Sequence, residues 1–90
     1  MIVYQVVNLD RQELFFGTTS TPLEKEIERL AKDTGGPAST WQRGDVVHWR
    51  PLTPMISASF ARQLHREFEK KTPPNKFKVI PTFKDEEDGA

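Results

Sequence analysis

The sequence predicts a small α+β domain, on three observations. Ile2 to Val7 and Glu13 to Gly17 are short runs rich in β-branched and aromatic residues on either side of a polar turn. Thr21-Pro22-Leu23-Glu24 carries the signals of a helix start. A later stretch ending at Lys70-Lys71 repeats apolar residues at helical spacing. With one further strand between the helices, the expected architecture is a small, mostly antiparallel sheet of three strands, a hairpin plus a third strand, flanked by two helices. A short C-terminal strand is a candidate fourth.

Taken in order, Asn8-Leu9-Asp10-Arg11 supplies the turn that folds the first two strands into a hairpin. The first helix is expected to use Thr21 as its N-cap hydroxyl, Pro22 as its first residue and Glu24 as the partner in a capping box. Leu23, Ile27, Leu30 and Ala31 line one face of it, and Gly35-Gly36-Pro37 is the expected stop. Ala38 to Gly44 reads as loop. Asp45 to Arg50 reads as the third strand, with Val47 and Trp49 on one side and Val46, His48 and Arg50 on the other, ended by Pro51. The second helix is expected to start between Thr53 and Ser57, to bury Phe60, Ala61, Leu64 and Phe68, and to stop at Thr72-Pro73-Pro74. Phe77 to Ile80 is the candidate edge strand.

Ninety residues suit one domain with a small core, to which six Phe, two Trp and one Tyr must contribute much of the buried area. Residues 1–81 form that domain, and residues 82–90, with the run Asp85-Glu86-Glu87-Asp88, are expected to be an acidic, solvated tail. The absence of cysteine excludes disulfides and thiolate metal sites, and agrees with a reducing, cytoplasmic setting. No stretch approaches the length of a membrane span. His48 and His65 lack any local metal-ligand spacing, so no metal site is expected from them.

The triplets Ile2-Val3-Tyr4 and Phe15-Phe16-Gly17, in that order ahead of a proline-started helix, resemble worn versions of the two motifs of the GIY-YIG nuclease domain. The resemblance runs from about residue 1 to residue 70. It implies a fold descended from a metal-assisted phosphodiesterase, in which motif tyrosines, a helix-one arginine and a helix-two glutamate holding Mg²⁺ share the work. On this chain Tyr4 keeps the first-motif tyrosine and Gly17 the closing glycine, whereas the second tyrosine is Phe15. The arginine position falls on Glu26, with Arg29 three residues later, and the glutamate position on Gln63, with Glu67 one turn on. A neutral amide is a poor Mg²⁺ ligand, and a carboxylate in place of a guanidinium turns attraction for phosphate into repulsion. Each position also has a plain alternative: Tyr4 and Phe15 as packing rings, Glu26 as a solvent-facing charge, and Gln63 as a structural hydrogen-bonding group.

The balance therefore leans away from catalysis, and no cofactor is expected. Residues 41–78 hold eight basic and three acidic groups although the whole chain is neutral. Arg43, Arg50, Arg62, Arg66, Lys70 and Lys71 are thus a candidate nucleic-acid surface, and Arg62, Arg66 and Lys70 recur every four residues, roughly 6 Å apart along one helical face. Trp41 and Trp49 read as packing residues, with Trp41 beside Arg43 also placed to stack on a base. The first expectation is a nuclease-like domain that has lost its chemistry and binds nucleic acid. The second is a Mg²⁺-dependent DNA endonuclease using Tyr4, Arg29 and Glu67 in rearranged roles. The third is a protein-interaction subunit using the strand edge near Phe77 to Ile80.

Overall fold

The computed structural model describes residues 1–33, 35–71 and 77–83. Its elements are β1 (Ile2–Asn8), β2 (Glu13–Thr19), α1 (Leu23–Lys32), β3 (Val47–Pro51), α2 (Ala58–Lys71) and β4 (Lys78–Val79). They make one four-stranded mixed sheet in the order β3-β1-β2-β4. β1 runs antiparallel to both β2 and β3, with Tyr4 opposite Gly17 and Val6 opposite both Phe15 and Trp49. The three-stranded, mostly antiparallel sheet expected from the sequence is thus widened by β4, which runs parallel to β2. The backbone N–H groups of Lys78 and Ile80 donate to the carbonyls of Gln12 and Leu14, at 2.8 Å each.

Alternation along the hairpin sends its side chains into two layers. Tyr4, Val6 and Phe15 face α1 and form the main core with Leu30, against which Leu23, Ile27, Trp41 and Val47 pack. On the opposite face Phe16 stacks on Phe68 of α2, ring centroids 5.7 Å apart. Leu14, Phe15, Phe16 and Gly17 are consecutively buried because both faces of β2 are covered.

The turn between β1 and β2 is tied down from outside the hairpin. The amide nitrogen of Asn8, a fully buried residue, donates to the Asp45 carboxylate at 2.9 Å, and that oxygen also accepts from Arg11 Nε and the Gln42 N–H. Asp45, expected to open the third strand, is spent on this junction. β3 therefore starts at Val47, and Pro51, expected to end the strand from outside, is its last residue, opposite Tyr4. Its missing N–H is tolerated because β3 is an edge.

Both helix starts differ from expectation. Pro22, with φ −54° and ψ 137°, is the cap residue of α1 rather than its first turn, and no side chain caps the helix. The Thr21 hydroxyl is instead 2.9 Å from the Thr19 hydroxyl, which also accepts the Thr21 N–H. The stop is made by Asp33, whose N–H donates to the Leu30 carbonyl and whose carboxylate accepts the Gly35 N–H. Gly36 lies against that carboxylate, and a Cβ on it would stand 2.7 Å from an Asp33 oxygen, so the Asp33 side chain would have to shift. α2 begins at Ala58, with the Ser57 hydroxyl accepting the Phe60 N–H at 3.2 Å. Its buried residues are Ala61 and His65, while Phe60, expected in the core, is 49% exposed. Ala61 and Phe68 hold their expected inward places, and His65 joins them in place of the expected Phe60.

The domain reaches at least Phe83 rather than ending at Pro81, because Thr82 and Phe83 are hydrogen-bonded to α2. The expected stop at Thr72-Pro73-Pro74 and the acidic run Asp85–Asp88 lie outside the described residues. Among the described residues no helix is long and apolar enough to cross a membrane.

Candidate functional site

The pairing of Tyr4 with Gly17 creates the first half of the site. The Tyr4 ring lies across the backbone of β2 at Gly17, so closely that a Cβ on residue 17 would stand 2.3 Å from the phenol oxygen and 2.5 Å from the ring carbon bearing it. That direction aims the hydroxyl at α1, where it donates to Glu26 Oε2 at 2.9 Å. Glu26 is buried rather than solvent-facing, which corrects the reading of it as a surface charge. Its two oxygens also take the Arg29 fork, Nε at 3.0 Å on Oε1 and a terminal nitrogen at 2.8 Å on Oε2. Helical spacing of three residues makes that bidentate contact natural.

The protonation states follow from these contacts. Burial, reinforced by the Glu26 charge, pushes the Tyr4 phenol well above its ordinary pKa, so Tyr4 is a hydrogen-bond donor and a poor base. The Arg29 hydrogen bonds outweigh burial and hold the Glu26 carboxyl below the usual carboxylate range. The chain is therefore Tyr–OH to carboxylate to guanidinium. Arg29 keeps an exposed outer edge on a pocket of about 510 Å³ that also receives Gly36, His65, Thr82 and Phe83.

α2 and the C-terminal segment build the second half. Glu69 Oε2 accepts the backbone N–H groups of Thr82 and Phe83, both at 2.9 Å, and is 2.7 Å from the Thr82 hydroxyl. His65 Nε2 stands 2.8 Å from that hydroxyl and 3.0 Å from Glu69 Oε2. The hydroxyl also donates to the Phe16 carbonyl. With acceptors around Nε2, the neutral imidazole carries its proton there. The Phe83 ring meets His65 edge-on at 5.4 Å and lies under the Arg62 guanidinium at 5.0 Å. Beyond it, Arg66, Glu69 and Lys70 share a second pocket of about 440 Å³ whose wall is again Phe83.

Burial lowers the His65 pKa despite the adjacent Glu69 carboxylate. Because the folded pKa lies below the unfolded value of about 6.5, the stability His65 contributes is complete above that pH and is lost as pH falls toward the folded pKa. Glu26, also depressed, behaves likewise from about pH 4.3 downward. Urea unfolding is thus expected to show a midpoint that declines in two limbs on acidification. His65→Gln is expected to abolish the first limb and leave the second, and a flat midpoint between about pH 6.5 and 5 in the unsubstituted protein would contradict the assignment.

The expected site residues divide. Tyr4, Phe15, Gly17, Glu26 and Arg29 converge on one pocket. Gln63 is exposed on α2 and does not line it; Glu67 does not either and pairs with Lys71 at 3.3 Å. The set Tyr4, Arg29 and Glu67 is therefore not assembled. Among the described residues no three His, Asp or Glu side chains are grouped to hold a metal ion. The basic residues do not form one surface. Arg50 lies on edge strand β3 and donates to Gln5, and Arg43 lies on the loop beside Trp41 on the α1 side, whereas Arg62, Arg66 and Lys70 gather around Phe83. His65, Glu69, Thr82 and Phe83 are the residues that sequence reasoning missed. Comparison with protein families, curated proteins and solved structures finds no match to this chain.

Proposed function

We propose that this chain is a catalytically silent, GIY-YIG-like domain that binds nucleic acid. The reading of ancestry is supported by the hairpin that sets Tyr4 against Gly17, and by α1 delivering an arginine to the same pocket. Silence is supported by Glu26, whose carboxylate takes up both the Tyr4 hydroxyl and the Arg29 fork, the two groups that would otherwise meet a phosphate. One observation carries the binding function: Phe83 is the common wall of two pockets, with Arg29 in one and Arg66 and Lys70 in the other. A ring between cations on both sides suits a strand whose phosphates track the charges and whose base stacks on the aromatic face.

Titration of labelled single-stranded DNA over a range of NaCl concentrations tests this. Affinity is expected to fall steeply with salt, and Arg66→Ala with Lys70→Ala to weaken binding and reduce the magnitude of the log–log salt slope by about 1.4, about 0.7 for each phosphate left without its cation. Binding that is absent at low salt, or indifferent to salt, would remove the nucleic-acid half. Cleavage in Mg²⁺ that stops on Tyr4→Phe would remove the silent half.

A further inference from the structure

A second concavity lies apart from the Phe83 surface, between α1 and β3. Its origin is geometric. Strands are about 4.8 Å apart and a helix is about 10 Å across. The ten-residue α1 packs through Leu30 on Tyr4 and Val6 of β1 and Phe15 of β2, while Trp49 of β3, opposite Val6, stays 40% exposed. The resulting pocket is about 550 Å³, within the roughly 300–1,000 Å³ typical of small-molecule sites. Its floor is apolar, from Val6, Phe15 and Leu30, and two of its walls are the indoles of Trp41 and Trp49.

The indoles differ in a useful way. Trp41 is fixed: its Nε1–H donates to the Glu13 carboxylate at 2.9 Å and its ring packs on Phe15 at 5.5 Å. Trp49, on an edge strand, keeps 40% of its large apolar surface exposed. The charged residues at the rim are Lys32, from the last turn of α1, and Arg43, from the loop. Both are exposed, and neither is ion-paired with a described residue. Among the described residues no carboxylate lines the pocket to offset them.

The geometry points to a binding site for a planar aromatic anion, its ring held between the tryptophans over the apolar floor and its carboxylate or phosphate at Lys32 and Arg43. The apolar floor and indole walls select a flat ring, and the unopposed cations select negative charge. A purely apolar occupant would leave both cations unused, and a cation would be repelled.

Naphthoate is a suitable probe, followed through the indole N–H resonances of Trp41 and Trp49 in the full chain. Both are expected to shift saturably, with naphthylmethanol, the neutral analogue, binding severalfold more weakly. Lys32→Glu with Arg43→Glu, both on the exposed rim, is expected to weaken naphthoate about tenfold while leaving naphthylmethanol nearly unchanged. Trp49→Ala is expected to weaken both. Equal affinity for the two probes, indifference to charge reversal, or no shift at millimolar probe would overturn the assignment. So would indole shifts that depend on protein concentration alone, which would mark a second copy as the occupant. Arg66→Ala with Lys70→Ala is expected to leave naphthoate binding intact, so this site and the nucleic-acid surface fail separately.

Discussion

Gly17→Ala is expected to destabilise the protein by about 2–4 kcal/mol, the opposite of what the substitution does in an ordinary strand. Replacing a strand glycine by alanine normally gains roughly 0.5–1 kcal/mol, because glycine surrenders more backbone freedom on folding. Here the new methyl group would stand 2.3 Å from the Tyr4 oxygen and 2.5 Å from its ring carbon. The ring is buried at 3% exposure, so it can yield only by moving toward the adjoining pocket and away from its packed position. Overpacking of that kind costs about 1–3 kcal/mol. A ring that swings away also gives up its bond to the Glu26 carboxylate, worth roughly 1.5–3 kcal/mol for a charged partner. The two losses overlap, so their sum is an upper bound. Urea unfolding gives the value, and a double-mutant cycle gives the cause. In a Tyr4→Leu background the clash is gone, and Gly17→Ala should become neutral or mildly favourable. An equal penalty in both backgrounds would show that the tyrosine is not what residue 17 must avoid.

The same pair of residues marks where sequence reasoning succeeds and where it stops. The hairpin is legible because β-branched and aromatic residues flank a turn, but its register is not: a turn over Asn8 to Arg11 would set Tyr4 opposite Phe15, whereas Asn8 pairs with Glu13 and Tyr4 faces Gly17. Glu26 is not legible. It lies among Glu24, Lys25, Glu28 and Arg29, so local pattern marks it as part of a wet face. What buries it is a hydroxyl delivered from a strand 22 residues earlier. The stripe of α2 keeps Ala61 and Phe68 as expected but differs at one member for a related reason. Counting apolar residues selects Phe60, whereas the inward position belongs to His65, a polar residue satisfied by Thr82 and Glu69. The parallel direction of β4 cannot be read from so short a segment, since direction depends on where the chain re-enters the sheet. Thr82 and Phe83 read as tail because composition turns acidic soon after them; their partners, Glu69 and His65, are more than a dozen residues away in sequence.

Glu69 is accordingly the residue whose loss should separate the C-terminal segment from the domain. Its Oε2 accepts two backbone N–H groups and lies within hydrogen-bond reach of the Thr82 hydroxyl and the His65 imidazole. Glu69→Ala leaves these donors without their acceptor. Bonds to a charged group contribute roughly 1.5–3 kcal/mol each, but the segment has an escape, because residues 82–83 can detach and hydrate their N–H groups. The expected loss is therefore about 3 kcal/mol, not the sum over every bond that Glu69 makes. Glu69→Gln, which keeps an acceptor oxygen, should lose about half as much. Amide exchange should accelerate at Thr82 and Phe83 while the β1–β2 ladder stays protected, and unchanged protection at Phe83 would refute the clasp. The effect on nucleic acid then discriminates between two kinds of surface. Removing a carboxylate beside Arg66 and Lys70 strengthens a purely Coulombic site, by roughly 1 kcal/mol or less in water. Losing the Phe83 platform removes stacking worth about 1–3 kcal/mol per base. Stacking on the ring outweighs the gain in charge, so Glu69→Ala should weaken DNA binding even as it makes the surface more positive. Tighter binding by the variant would mean that charge alone holds the strand, with Phe83 a bystander.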